Sequence, residues 1–334
     1  MPQEIIKDRP ITASGVRRAA LRIADHIIRT PLIENDFLNE AAGGRVLVKA
    51  EVLQHCGSFK ARGAFNLISQ LSADERKRGV LAWSSGNHAQ GVARAARHFG
   101  APATIIMPTD TPKLKIEKVR AMGAEIIFYD RYTEDREEIA KPIQRERAMV
   151  LAPSYDHPDI IEGQGTLALE TVDEVRARGL ALDAFIACCG GGGLTSGCAT
   201  LLEEASPETA VWIAEPEGFD ETWASIQSGK RQRADVAKRT ICDAIATPTP
   251  GRLTLPIMQR LVRGGVSLTE DEVGQAMVFA YKYLKLVVEP GGAVALAAIL
   301  TGKFNAAGKT TAITLSGGNV DPSLFAAILQ RHGG

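Results

Sequence analysis

No apolar run in this chain reaches the roughly 18 residues that a membrane-spanning helix needs, so a membrane-embedded role is not expected. Neither sign of charge is in excess. The 39 Lys and Arg balance the 39 Asp and Glu, giving a formal net charge of zero. Nucleic acid or an anionic membrane surface would favour a basic patch, so neither is expected as the main partner. Cysteine is sparse. Cys56, Cys188, Cys189, Cys198 and Cys242 form neither a Cys-x-x-Cys pair nor a disulfide-framework spacing. Cys188 and Cys189 are adjacent in an apolar stretch, which reads as buried free thiols and a reducing, cytoplasmic setting. The opening residues Met1 to Asp8 have an early acidic residue and no apolar core, so they do not read as a signal peptide. There is no internal repeat and no low-complexity tract.

What remains is an ordinary folding composition, 45% hydrophobic and 23% charged, which places the chain among globular proteins. Its 334 residues exceed the about 250–300 that a single core usually supports, so two domains are expected. Strands are expected at 80–84, 103–107, 125–129 and 149–152, alternating with helices at 87–99, 112–122 and 134–147. That alternation predicts a parallel sheet covered by helices. A second α/β set is expected from strands at 45–50, 185–189, 210–214 and 311–315, with a helix over 271–284. The 80–155 block therefore reads as a small domain inserted into a larger one assembled from both ends. A ligand at their junction is the usual arrangement.

The densest signal is Gly190-Gly191-Gly192-Gly193, followed by Leu194-Thr195-Ser196-Gly197. It follows the apolar stretch 184–189 and precedes a segment, Cys198 to Glu204, that can start a helix. Strand, glycine turn and helix N-terminus make an anion cradle, because residues without Cβ let backbone N–H groups converge and the helix dipole favours negative charge. It is not a P-loop, since Cys198 stands where that motif requires lysine. It also lacks the third glycine of the dinucleotide fingerprint. On its own the run equally fits a ligand-free turn.

Three further loops are punctuated like active-site turns. In Cys56-Gly57-Ser58-Phe59-Lys60, Ser58 is expected to cap a helix and place Lys60 in its first turn. The helix field and burial would there lower the lysine pKa and favour its amine as nucleophile. Ser84-Ser85-Gly86-Asn87-His88 lies at a strand end and helix start, and suits either carboxylate recognition or simple capping. Ser316-Gly317-Gly318-Asn319 follows another apolar strand.

Taken with Gly163-Gln164-Gly165-Thr166 and Glu289-Pro290, these motifs run in the order of a known family. From about Ile11 to Asp321 the chain resembles the serine/threonine dehydratases. These are pyridoxal-phosphate enzymes of fold type II, the tryptophan-synthase-β group that includes serine racemase. The resemblance implies a two-domain α/β fold, with a large cofactor-binding domain from 1–53 and 156–334. Residues 54–79, carrying the Schiff-base lysine, lead into a small domain over 80–155.

The resemblance also assigns roles. Lys60 carries the cofactor and serves as the base on the substrate Cα. Phe59 packs near the pyridine ring, Asn87 bonds its 3′-oxygen, and Ser316 faces its nitrogen. Gly190, Gly191, Gly192, Gly193 and Leu194 hold the phosphate. Ser84, Ser85, Asn87 and His88 bind the substrate carboxylate, with Arg136 nearby. Ser85 is also the base on the opposite face in a racemase. Glu215, the Phe219 carbonyl and Glu221 match the family's magnesium or calcium loop, although a solvated acidic turn explains them equally.

The implied activity is an ammonia-lyase reaction on L-threonine or L-serine, releasing a 2-oxo acid and ammonia. A 3-hydroxyaspartate dehydratase would need a cation for the second carboxylate, for which Arg136 or His157 is available. Serine racemase and a non-catalytic cofactor-binding protein are the other readings; Tyr155, where many dehydratases carry an aromatic residue, favours elimination. Departures from the family pattern are Cys56, Cys242-Asp243-Ala244-Ile245, Glu162 and Gly291. They put substrate identity in more doubt than reaction type. His26, His98 and Trp212 read as packing or surface residues. The chain ends at Gly334, leaving no room for the regulatory domain of biosynthetic threonine deaminases, so isoleucine feedback is not expected. A homodimer is expected from the relatives.

Overall fold

The computed structural model describes residues 9–84, 86–111, 113–130, 133–235 and 237–333. In chain order the strands are β1 (Leu32–Glu34), β2 (Arg45–Ala50), β3 (Val80–Trp83), β4 (Ala103–Pro108) and β5 (Glu125–Tyr129), then β6 (Val150–Leu151), β7 (Ala184–Cys188), β8 (Ala210–Pro216), β9 (Val262–Leu268) and β10 (Thr310–Leu315). They form two sheets. One has six strands in the order β1-β2-β10-β7-β8-β9, and the other four in the order β5-β4-β3-β6. All neighbours pair in parallel except β1, which runs antiparallel to β2.

The apolar strands expected from the sequence are present because parallel strands are covered on both faces. All five residues of β7 are buried, and in β10 only Thr310 is not. β1 and β9 were not expected. β1 has only three residues, and β9 is interrupted by Gly264 and Gly265. A Cβ on Gly264 would lie 2.5 Å from the Trp212 ring and one on Gly265 2.6 Å from the Trp223 ring, so tryptophans fill the space these glycines leave.

Helices cover the sheets. Asn87–Phe99 buries Ala89, Val92, Ala93 and Ala96 and ends at Gly100 in the left-handed region, φ 68°. The helix expected over 134–147 begins at Arg136, capped by Asp135. The one expected from Pro112 is described from Lys113, Pro112 itself lying outside the described residues. Thr269 and Glu272 form a capping box on Glu270–Phe279, which continues as the π-helical turn Ala280–Leu284.

The helix Lys60–Ile68 stands between two cores. Its Ala61, Ala64, Phe65, Leu67 and Ile68 pack with β3 and β4, whereas Phe59 packs into the core of the six-stranded sheet. Burying a side chain such as Phe65 contributes roughly 1.5–3 kcal/mol. On this helix Arg62 is fully buried, with its fork bonded to Glu51 at 2.7 and 2.8 Å and to Glu170 at 2.7 and 2.9 Å. Among the described residues no helix is long and apolar enough to cross a membrane.

Candidate active site

The glycine run turns out of β7 into the helix Gly193–Ala205, five residues earlier than the expected start at Cys198. Low glycine propensity is overridden here by close packing. A Cβ on Gly197 would lie 2.1 Å from the Ile161 carbonyl oxygen, and one on Gly191 2.4 Å from the Tyr155 ring. Gly192 has φ 89°, a conformation that glycine adopts without strain. Gly190, Gly191, Gly192, Gly193 and Leu194 are all buried, and among the described residues no backbone carbonyl accepts from their N–H groups. Buried N–H groups without partners are costly. An anion seated on this helix start would satisfy them.

Lys60 is placed by a seam between two loops. The Phe59 N–H donates to the Ser316 carbonyl at 3.1 Å and the Gly318 N–H to the Gly57 carbonyl at 2.9 Å, while Ser58 bridges Gly317. Cys56 lies in the left-handed region at φ 60°, its carbonyl accepting from Asn319 Nδ2 at 2.6 Å. Ser58 does not cap the helix as expected. It is extended at φ −164°, Phe59 takes the cap position, and the buried Ser58 hydroxyl has no partner among the described residues. Lys60 is nonetheless the first helical residue. Its Nζ donates to the Ser154 carbonyl at 2.7 Å and sits 5.1 Å from the Phe59 ring centre. Burial pushes its pKa down to about 8, against the attraction of Cys188 and Glu289.

The helix behind Lys60 is seated by Gly163-Gln164. A Cβ on Gly163 would fall 2.6 Å from the Gly63 Cα, and Gln164 Oε1 accepts from the Gly63 N–H at 3.1 Å. Ser316 is buried beside Cys188, whose thiol burial pushes up to about 11.

At the start of Asn87–Phe99, the Ser84 hydroxyl accepts from the Gly86 N–H at 3.2 Å; Ser85 lies outside the described residues. His88 Nε2 lies 2.7 Å from the Ala152 carbonyl, so that nitrogen carries the proton. Burial and the neighbouring Lys60 push His88 down to about 3, and its Nδ1 is buried without a partner. With Nε2 donating to that carbonyl, Nδ1 is the acceptor nitrogen of the ring. Tyr155 packs its ring on Gly191, and the charge of Arg136 reaches it, although burial is what raises its pKa.

A model of the pyridoxal-phosphate dependent enzyme family matches residues 23–317. The chain belongs to this family.

It is 41% identical over 315 residues to an L-threo-3-hydroxyaspartate ammonia-lyase of a Pseudomonas species, covering 94% of this chain and 97% of the relative. It is 38% identical to the L-threonine ammonia-lyase of Thermotoga maritima over 96% of this chain and 79% of that one. The structure of maize serine racemase superposes with a TM-score of 0.90 at 34% identity, covering 97% and 98% of the two chains. The fold is therefore that of fold type II pyridoxal-phosphate enzymes, as the resemblance implied, and the cofactor is pyridoxal phosphate.

The residues present fit this cofactor. The buried, unpartnered N–H groups match its phosphate, and the lysine of lowered pKa matches its aldehyde. The cation loop is a different case. Glu215, buried at the end of β8, accepts from the Thr222 and Trp223 N–H groups at 3.2 and 2.8 Å and so caps the helix Glu221–Ser228. Both carboxylate oxygens of Glu221 are buried and have no hydrogen-bond partner among the described residues, and burial raises its pKa to about 7. Phe219 is buried between them in sequence. Among the described residues no group of three or more His, Cys, Asp or Glu is arranged to hold a metal.

No sequence signal marks the Ser154 carbonyl on Lys60, because any residue supplies a carbonyl. Nor did it flag Arg62, since charged helix residues ordinarily face solvent. All five cysteines are free thiols, and Cys56 alone is not fully buried.

Proposed function

We propose that this family member is an ammonia-lyase that eliminates the β-hydroxyl of a small amino acid, L-threonine or L-serine. The observation that carries the reading is the buried Lys60 amine, lowered to about 8, at the seam of the 57–59 loop with the Ser316–Gly318 turn, where Cys188 at the end of β7 acts on it and its own charge acts on His88. Pyridoxal phosphate supplies the electron sink at the substrate Cα. The backbone N–H groups of Gly190 to Leu194 would hold its phosphate, Phe59 would pack near its ring, Ser316 would face its nitrogen and Asn87 would bond its 3′-oxygen.

Ser84, Ser85 and the N–H groups at the start of Asn87–Phe99 orient the substrate carboxylate. Lys60 Nζ, with its unprotonated fraction raised near neutral pH, takes the α-proton. In net terms the α-proton and the β-hydroxyl leave as one water, the released enamine tautomerises to an imine, and addition of water to that imine gives a 2-oxo acid and ammonia. A Lys60→Ala variant should lose both the lysine-linked cofactor absorbance and 2-oxo acid release; retention of both would remove Lys60 from the mechanism.

A second reading, a 3-hydroxyaspartate substrate, is favoured by the charges of Arg136 and Arg231, which both reach Tyr155 beside the glycine run. Glu215, the Phe219 carbonyl and Glu221 would bind magnesium or calcium, a proposal supported by the unpartnered Glu221 carboxylate. The two sheets support a division into domains 1–53 with 156–334 and 80–155, joined through 54–79. Free cysteines support a cytoplasmic setting. Sedimentation would test the proposed homodimer.

A further inference from the structure

Glu289 opens the helix Pro290–Leu300 with its side chain turned inward, 2% exposed, and the proposed elimination gives its carboxylate no part. Its Oε1 accepts from Asn87 Nδ2 at 2.5 Å. At the other end of the same amide, Asn319 Nδ2 donates to Asn87 Oδ1 at 2.8 Å. Two such partners leave the amide one orientation, because the reverse would set its oxygen against the carboxylate. Asn319 is itself tethered, accepting from Lys118 Nζ at 3.1 Å and donating to the Cys56 carbonyl.

Gly317 leaves the room this needs. A Cβ there would lie 2.1 Å from Glu289 Oε1 and 3.0 Å from Asn87 Nδ2, and its carbonyl accepts from the Glu289 N–H at 3.0 Å. The Glu289 carboxylate thus holds the Asn87 helix, and the Asn319 amide in turn ties Asn87 to the Ser316–Asn319 turn and to the loop before Lys60. The charged groups that act on it are Asp243, which raises its pKa, and Lys115 and Lys118 of the helix Lys113–Ala121, which lower it; burial is the largest influence and brings it to about 7. Its charge in turn acts on Lys60 and raises that pKa.

We propose that Glu289 is a positioning residue for the cofactor: it clamps the Asn87 amide so that the second N–H is left for the cofactor's 3′-oxygen, and it sets a negative charge against Lys60. This rests on the assignment of Asn87 to the 3′-oxygen.

The test is cofactor affinity, by fluorescence titration of the apoprotein, together with the pH midpoint of the visible absorbance of the loaded protein. Thermal melts of the apoproteins show that each variant folds. Glu289→Ala should weaken cofactor binding roughly 10-fold, the scale of a lost hydrogen bond to a charged group. Glu289→Gln keeps an acceptor and should restore affinity to within a few-fold of the wild type. It should also move the absorbance midpoint to lower pH, because the charge that favours protonated Lys60 is gone. In an Asn87→Ala background, Glu289→Ala should add no further loss. Wild-type affinity and midpoint in both Glu289 variants, with Asn87→Ala impaired, would overturn the clamp alone. An unimpaired Asn87→Ala would overturn the Asn87 assignment and the clamp with it.

Discussion

Around Arg62 every buried charge has a partner, whereas the Glu221 carboxylate has none among the described residues. The Arg62 fork is shared between Glu51 and Glu170, and Lys49 Nζ completes the set with bonds to Glu170 and the Thr30 carbonyl, both at 2.6 Å. Two cations face two carboxylates, so the cluster is neutral and closed. Glu221 and Glu215 are both carboxylates, and burial, with the charge of Glu221 adding to it, raises the Glu215 pKa well above the ordinary carboxylate range. The first arrangement fixes the helix that bears Lys60. The second sets two like charges together, and the proposed cation would offset them. The glycine cradle belongs with the second kind, since its donors are buried and unpartnered.

The largest effect that would break this comparison lies at the ligand side. Lys60→Ala should reduce 2-oxo acid release at least roughly 10³-fold while leaving the melting temperature of the apoprotein near wild type. On the scaffold side, Arg62→Met should do the reverse in kind, destabilising the fold by about 3–5 kcal/mol because Glu51 and Glu170 are left buried without a cation. Denaturant midpoints measure it, and an unchanged midpoint would show that the closed cluster is not structural.

Gly191→Ala tests the cradle directly. The new Cβ meets the Tyr155 ring at 2.4 Å, so the expected cost is about 1–3 kcal/mol, read as weaker cofactor binding as well as a lower melting temperature.

The smallest effect concerns Glu221. Its pKa rises from 4.5 unfolded to about 7 folded, so the folded state holds the extra proton. Stability from this group is present below pH 4.5 and is lost as pH climbs from 4.5 towards about 7. Glu221→Gln should flatten that part of the melting-temperature profile. Magnesium or calcium should raise the wild-type melting temperature by a few degrees above pH 7, and EDTA should reverse it.

Much of this molecule is legible in its sequence where one local rule decides. The strand around Ile186 shows as a continuous apolar run, and the helix expected over 271–284 is found as Glu270–Phe279 with its continuation to Leu284. What is hidden depends on distant partners. Asn87 and Glu289 are 202 positions apart, and Arg62 and Glu170 are 108 apart, so neither pairing leaves a local mark. The helix start at Gly193 is hidden because glycine propensity argues against a helix, and only the approach of Ile161 and Tyr155 favours it. Ser58 reads as a cap by residue type, yet its bridge to Gly317 extends it away from the helix.

The most direct test of the account is 2-oxo acid release by the cofactor-loaded protein from L-threonine, L-serine and the 3-hydroxyaspartate diastereomers, with Lys60→Ala as control. The account predicts release from at least one of these β-hydroxy amino acids by the wild type and loss of that release in the variant. No release from any of them, or undiminished release by Lys60→Ala, would contradict it.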